Sequence, residues 1–176
     1  MVLQGNEEGM SPPFDSSIYG ASYSPGTPGT EYEIEYSDCD ALMAFFRCSE
    51  DVVDILPEGV EPFSQPPQGG IFVTRYPFST VGTYNEFLAV VQVKDTNGDM
   101  AYYIPYIYVT NDAAMAAGRE WAGAPKKIAD IEMEKDKDVL QGTMERPEGK
   151  RLLTITSKPE ERAKGGIIDA LLPDPT

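Results

Sequence analysis

The stretch Gly118–Lys127, with the sequence GREWAGAPKK, decides how this chain of 176 residues is interpreted. It ends in two adjacent lysines, Lys126 and Lys127, which follow a proline just beyond a segment with helical character. In an apolar pocket, each ammonium group makes the positive charge of the other more costly. One of the two amines is then neutral near pH 7 and acts as a nucleophile, which is what Schiff-base formation with a ketone requires.

An adjacent pair of basic residues is weak evidence on its own. The chain has 14 Lys and Arg residues in 176, which gives about one such pair by chance. Lys150-Arg151 is a second pair, and its position is typical of a solvated hairpin flank. The interpretation therefore depends on the longer pattern, in which Gly118-Arg119-Glu120 precedes the lysines by a short spacer.

This longer pattern resembles the acetoacetate decarboxylase family, which carries Gly-Arg-Glu, a short spacer and Pro-Lys-Lys in the same order. Upstream, Asp38-Cys39-Asp40-Ala41-Leu42 resembles the Asp-x-Asp-Ala-Leu segment of that family, where an early helix starts. Tyr84-Asn85-Glu86 resembles its Tyr-x-Glu segment, which supplies a glutamate to the active site. The similarity runs from about residue 31 to the C-terminus.

The resemblance implies a role for each catalytic candidate. Lys126 is expected to form the Schiff base, and Lys127 is expected to be its electrostatic neighbour. Glu86 is expected to transfer a proton or to position water, because a partly buried carboxylate can be tuned for that task. For Glu86 the alternative is a strand residue that faces solvent.

Three further residues are candidates for substrate binding: Tyr84, Arg75 and Arg119. The family has an arginine before its Asp-x-Asp-Ala-Leu segment and a second glutamate on the strand before Tyr-x-Glu. In this chain, residues 25–30 contain no basic residue. The strand that should carry the second glutamate has Thr74 and Arg75 instead. Arg75 is therefore a candidate to hold a substrate carboxylate, with a surface arginine as the alternative. For Arg119 the alternative is an ion pair with Glu120 that braces the lysine loop.

The implied function is that of a Schiff-base lyase for a β-keto acid or a related keto acid, with decarboxylation through an imine and an enamine. This chemistry needs no metal and no organic cofactor. The same imine also serves aldolase, dehydratase and cyclase reactions. Two alternatives of another class are a small-molecule-binding module and an assembly subunit on the same scaffold.

Composition excludes several other kinds of function. The absence of histidine removes Ser-His and Cys-His catalysis and any metal site based on histidine. The net charge of −15 should repel nucleic acid and anionic membranes, and residues 1–69 contain 13 acidic residues against one basic residue. No apolar run is long enough for a transmembrane helix. Two cysteines, without a signal peptide, predict free thiols and a cytoplasmic location.

The order of predicted elements indicates an α+β domain that is mostly β. The resemblance implies an antiparallel β-barrel-like architecture with short flanking helices. Residues 1–30 are predicted to be a flexible or extended arm, and residues 31–176 the acetoacetate decarboxylase-like domain, shorter at its C-terminus than the family. Exposed strand edges in such a domain predict a homo-oligomer or completion by another chain.

Local signals predict the positions of individual elements. A helix is expected from Ser37 to about Cys48, and a second from Asp112 to about Ala117, capped by Asn111 and ended by Gly118. Strands are expected at about 31–36, 71–78, 85–94, 101–109, 127–134, 139–146 and 151–157. Asn97-Gly98 predicts a hairpin, and Pro105 predicts an edge or a bulge in its strand.

Overall fold

The computed structural model describes residues 35–160 of the chain. This part consists of ten strands, one α-helix and a 3₁₀ helix at Glu50–Ile55. The helix is α1 (Asp112–Trp121). The strands are β1 (Tyr36–Ser37), β2 (Asp40–Arg47), β3 (Gln68–Tyr76), β4 (Phe78–Ser79), β5 (Tyr84–Lys94), β6 (Met100–Val109), β7 (Lys126–Ile128), β8 (Asp130–Asp136), β9 (Val139–Glu145) and β10 (Arg151–Ser157).

A five-stranded sheet in the order β2-β3-β5-β6-β7 forms the centre of the fold. Its neighbouring strands are antiparallel, except that β6 and β7 run parallel. Parallel neighbours require a crossover connection, and α1 supplies it here. A three-stranded sheet has the order β10-β9-β8, and the short strands β1 and β4 pair with each other.

The two faces of the central sheet bury different cores. One face packs against the three-stranded sheet through a cluster of buried residues: Val73, Phe87, Ala129, Ile131 and Met144. The other face packs against α1 through a second cluster: Val81, Tyr84, Val109, Ala114 and Ala117. Because side chains alternate between the faces along a strand, β5 contributes Phe87 to the first core and Tyr84 to the second.

Several local predictions are confirmed. Residues 95–99 form the turn between β5 and β6, with Gly98 at φ +89°. The register of β5 and β6 shifts between Ala89 and Val91, opposite Pro105, which is the predicted bulge. Asn111 caps α1, because its side chain accepts a hydrogen bond from the Ala114 amide at 2.9 Å.

One predicted helix is wrong, and the predicted end of the other is misplaced. The segment expected to be a helix from Ser37 to Cys48 is strand β2, which pairs with β3 from Asp40 opposite Arg75 to Arg47 opposite Gln68. Its Ala, Leu and Met residues favour helix intrinsically, but continuous pairing with a neighbouring strand overrides that weak preference. Similarly, α1 does not end at Gly118 but continues to Trp121.

The predicted fold class, α+β and mostly β, is confirmed. Within residues 35–160 the sheets do not close into a barrel. The predicted strand at 31–36 lies mostly outside the described residues; of its two described residues, Tyr36 belongs to the short strand β1 and Glu35 does not. The predicted N-terminal arm, residues 1–30, lies outside them entirely. No helix in the described part of the chain is long and apolar enough to cross a membrane.

Candidate active site

Lys126 lies at the start of β7, in a pocket of about 170 Å³ between α1 and the central sheet. Five small residues of α1 and the loop after it line one side of the pocket: Ala114, Ala117, Gly118, Ala122 and Ala124. Tyr36 and Tyr84 lie on the other side. The side chain of Lys126 is only 13% exposed. Lys126 thus lines a pocket whose other described lining residues are mostly apolar and which has room for a small molecule.

Glu86 is the charged partner of Lys126. Its Oε2 accepts a hydrogen bond from Lys126 Nζ at 2.7 Å, and its side chain is 8% exposed. The pair joins β5 to β7 across the intervening strand β6, where Val109 is the neighbour of Glu86 in the ladder. The sequence-based expectation that Glu86 and Lys126 share one site agrees with this geometry, and the alternative of a solvent-facing Glu86 does not.

Three aromatic rings stack in a row that begins beside the lysine–glutamate pair. Lys126 Nζ lies 5.8 Å from the centroid of the Tyr84 ring. The Tyr84 ring packs on Tyr76 with centroids 4.6 Å apart, and Tyr76 packs on Tyr36 at 4.9 Å. The hydroxyl of Tyr84 donates to that of Tyr36 at 3.5 Å. The structure therefore places the candidate Tyr84 beside Lys126. Tyr36 and Tyr76 were not among the candidates, because the sequence does not reveal which strands are neighbours.

The surroundings of two of these phenols raise their pKa. Burial raises the pKa of Tyr84, and the hydrogen bond to Tyr36 and the nearby Glu86 carboxylate raise that pKa further. Burial also raises the pKa of Tyr76, again with a contribution from Glu86. Both phenols therefore stay protonated to a higher pH than a tyrosine in water.

The raised pKa of Tyr84 predicts a loss of stability in alkali. An unfolded tyrosine loses its proton near pH 10, while folded Tyr84 retains it. The folded protein then binds more protons than the unfolded chain, so the free energy of unfolding falls as the pH rises above about 10. We expect a shallower fall in Tyr84→Phe, measured by urea unfolding between pH 8 and pH 11.5. Tyr106→Phe removes an exposed phenol outside the pocket and is the control. Equal slopes for Tyr84→Phe and the unaltered protein would contradict the prediction.

Two of the remaining candidates, Arg75 and Lys127, lie outside the pocket. Arg75 lies on the opposite face of β3 from Thr74, and its guanidinium forms an exposed ion pair with Asp40 of β2. Lys127 follows Lys126 on β7, is exposed, and is directed to the other side of the strand. The structure therefore brings Lys126, Glu86 and Tyr84 together and leaves Arg75 and Lys127 outside the pocket.

Arg119 contacts the backbone of the lysine loop. Its Nη1 donates to the carbonyl oxygen of Lys126 at 3.2 Å. The described part of the chain shows no ion pair between Arg119 and Glu120, so the expected brace exists with a different acceptor. Thr74 is a further residue of interest, because it is buried and lies directly opposite Glu86 in the β3–β5 ladder.

A larger cleft of about 500 Å³ lies near the turn between β9 and β10. Its lining includes Asp130, Glu145 and Arg146, but the described residues around it include no lysine. It therefore has no amine with which to form an imine. Within residues 35–160, no group of three or more His, Cys, Asp or Glu side chains is placed to hold a metal ion.

Comparison with known proteins agrees with this geometry. A sequence model of the family described as acetoacetate decarboxylase matches residues 19–169, which is most of the chain. The chain belongs to the acetoacetate decarboxylase family. The match includes the pocket lysine, its glutamate partner and all the elements that position them.

Individual relatives show how far the similarity extends in sequence and in structure. Acetoacetate decarboxylase 1 of Bradyrhizobium diazoefficiens is 35% identical over 132 residues, which cover 74% of this chain and 50% of that protein. A solved acetoacetate decarboxylase superposes with a TM-score of 0.72 at 21% identity, covering 85% of this chain and 58% of the other. The enduracididine biosynthesis enzyme MppR, solved in complex with pyruvate, gives a TM-score of 0.62 at 17% identity, covering 77% of this chain and 60% of the other. The chain spans about half the length of the curated relatives it matches.

Proposed function

We propose that this chain is a Schiff-base lysine lyase that decarboxylates a β-keto acid or a related keto acid. The observation that carries the proposal is the buried Lys126–Glu86 contact of 2.7 Å, in which the lysine also lines a small, largely apolar pocket. A carboxylate within hydrogen-bond reach of a buried amine has the geometry required for proton transfer to and from that amine. Membership of the acetoacetate decarboxylase family supports the same chemistry.

The reaction begins when the Lys126 ammonium passes a proton to Glu86, and the neutral amine so formed attacks the ketone carbon of the substrate. The resulting carbinolamine loses water and becomes a protonated imine. The bond to the carboxylate then breaks, its electron pair moves into the imine, and carbon dioxide leaves an enamine. Protonation at carbon and hydrolysis by water release the ketone product and restore the amine. Glu86 takes up and returns the protons of these steps, since it is the acid–base group in contact with the Lys126 nitrogen.

The pocket residues support this sequence in two ways. The apolar lining from α1 excludes water from the amine and strengthens the electrostatic interactions inside the pocket. The Tyr84 ring, with its centroid 5.8 Å from Lys126 Nζ, offers an electron-rich face to the cationic imine. Lys126 is the one cation that lines this pocket among the described residues, so the developing imine and Glu86 dominate its charge.

The test is reductive trapping followed by peptide mass spectrometry. The protein is incubated with a panel of β-keto and α-keto acids, and borohydride then reduces any imine to a stable amine. We expect one adduct, on Lys126, with the mass of the reduced keto acid or of its decarboxylated product. Lys127 and Lys94 are internal references, because both are accessible lysines outside the pocket. Folded protein without an adduct on Lys126 would overturn the proposal.

A second candidate is a small-molecule-binding module without turnover. It is favoured by Thr74, which lies opposite Glu86 on the strand where the resemblance implies a second glutamate. With a hydroxyl in that place, Glu86 is the one carboxylate among the described residues that contacts Lys126 and could carry the proton transfers. Saturable binding of a keto acid, measured by calorimetry without any trapped adduct, would favour this second function over the first.

A further inference from the structure

Gly118, near the end of α1, faces the side chain of Lys126. A Cβ atom built on Gly118 would lie 2.4 Å from both Cδ and Cε of Lys126, and 3.1 Å from its Cγ. Carbon atoms in van der Waals contact are about 3.5–4.0 Å apart. Any side chain at position 118 would therefore require the methylene groups of Lys126 to move. The absence of a Cβ at Gly118 creates a slot in which the lysine stem lies across the helix.

Substitution at Gly118 should move the lysine rather than unfold the protein. The contacted atoms are the far part of a flexible side chain, whereas the helix backbone at this position is regular. Alanine is also a better helix former than glycine. For α1 alone, alanine at position 118 would be the better residue, so helix stability does not explain the glycine.

The backbone on either side of the slot is fixed by three hydrogen bonds. The Ala124 amide donates to the Gly118 carbonyl at 2.9 Å, and the Lys126 amide donates to the Ala124 carbonyl at 2.7 Å. Arg119 Nη1 donates to the Lys126 carbonyl at 3.2 Å. These bonds tie the loop to the end of α1. They therefore fix the position of the Lys126 backbone relative to Gly118.

We propose that Gly118 is a positioning residue, which directs the amine of Lys126 towards Glu86 by leaving the slot open. This inference rests on the proposed function, because it assigns Gly118 a role in presenting the nucleophile. An amine must lie within near-attack distance of the carbonyl carbon, and a displacement of 1 Å costs about a hundredfold in rate. A methyl group at position 118 displaces the amine from both Glu86 and the substrate.

The first experiment compares trapping in Gly118→Ala with trapping in the unaltered protein. We expect the rate of reductive trapping on Lys126 to fall by about tenfold or more. Glu120→Ala is the matched control, because it also adds a strong helix former to α1 but at an exposed position. Its trapping rate should remain within about threefold of the unaltered protein. Equal trapping in Gly118→Ala would overturn the inference.

A second readout does not depend on turnover. Competitive acetylation with a small reagent reports the accessibility of each lysine, with Lys94 as the internal reference because its side chain is 44% exposed. We expect the ratio of labelling at Lys126 to labelling at Lys94 to change in Gly118→Ala and to stay unchanged in Glu120→Ala. An unchanged ratio in both variants would contradict the inference that Gly118 positions Lys126.

Thermal unfolding separates a positioning role from a structural one. In the Lys126→Ala background the slot is empty, so Gly118→Ala should raise Tm by about 2–4 °C through helix propensity. With Lys126 present, that gain should disappear. A gain of the same size in both backgrounds would show that position 118 and Lys126 are independent. The unaltered protein could trap no keto acid and still show this coupling and the labelling change. That result would overturn the proposed function but support the inference that Gly118 positions Lys126.

Discussion

Replacing Lys126 with alanine is expected to abolish imine formation. Lys126 is the one lysine among the described residues that line the pocket. Loss of a covalent nucleophile lowers the rate of the catalysed reaction by at least about a thousandfold. The measurement is reductive trapping with the keto acid that labels the unaltered protein, quantified by peptide mass spectrometry. Circular dichroism of the variant establishes that the fold is retained.

Lys127→Ala is the matched control for this prediction, because it removes a neighbouring lysine from the same strand. Lys127 is exposed and directed away from the pocket. We therefore expect Lys127→Ala to retain trapping on Lys126 within about tenfold. A loss as large as that of Lys126→Ala would favour the sequence-based hypothesis that Lys127 is the essential electrostatic neighbour. Undiminished trapping in Lys126→Ala would eliminate Lys126 as the nucleophile.

Glu86→Gln is expected to lower both stability and activity. The substitution keeps the shape of the side chain but leaves the buried ammonium of Lys126 without its opposite charge. Breaking a buried ion pair on one side costs about 3–5 kcal/mol in the free energy of unfolding. Loss of the acid–base group should lower the rate of imine formation by about a hundredfold or more. Urea unfolding and trapping kinetics measure the two effects.

The chain provides a matched control for the loss of stability. Glu61 pairs with Lys94 at 3.0 Å, but the side chains of both residues are exposed. Glu61→Gln should therefore lower the free energy of unfolding by less than about 1 kcal/mol. The double variant Glu86→Gln with Lys126→Met should regain part of the stability that Glu86→Gln loses, because no unpaired charge remains. If Glu86→Gln were as stable as Glu61→Gln, the conclusion that Glu86 and Lys126 form a buried ion pair would be wrong.

The strands of the central sheet were largely predictable from sequence. Alternating and apolar runs indicate β3, β5 and β6, and Asn97-Gly98 provides the turn for the hairpin between the last two. The segment Asp40–Arg47 was not predictable in the same way, because its local preference is helical. Its strand conformation depends on pairing with β3, which is distant in sequence.

The candidate site was predictable only in part. The resemblance indicates Lys126, Glu86 and Tyr84, and the geometry brings these three together. For Arg75, sequence gives the alternation along β3 but not which face meets the pocket, and that face is fixed by the register of β3 with β5. The slot at Gly118 was also hidden, since a glycine near the end of a helix is equally typical of a C-terminal cap.

The crossover from β6 through α1 to β7 has a consequence for how such a protein diversifies. Residues 107–128 contain Lys126, the glycine that accommodates it, and the arginine that ties its backbone. Under the proposed function, the imine-forming group and its support are thus inherited together as one continuous segment. Substitutions in β1, such as at Tyr36, then alter the aromatic lining of the pocket without removing the group that forms the imine. An arrangement of this kind allows one ancestral nucleophile to remain constant while the reactions of its descendants diverge.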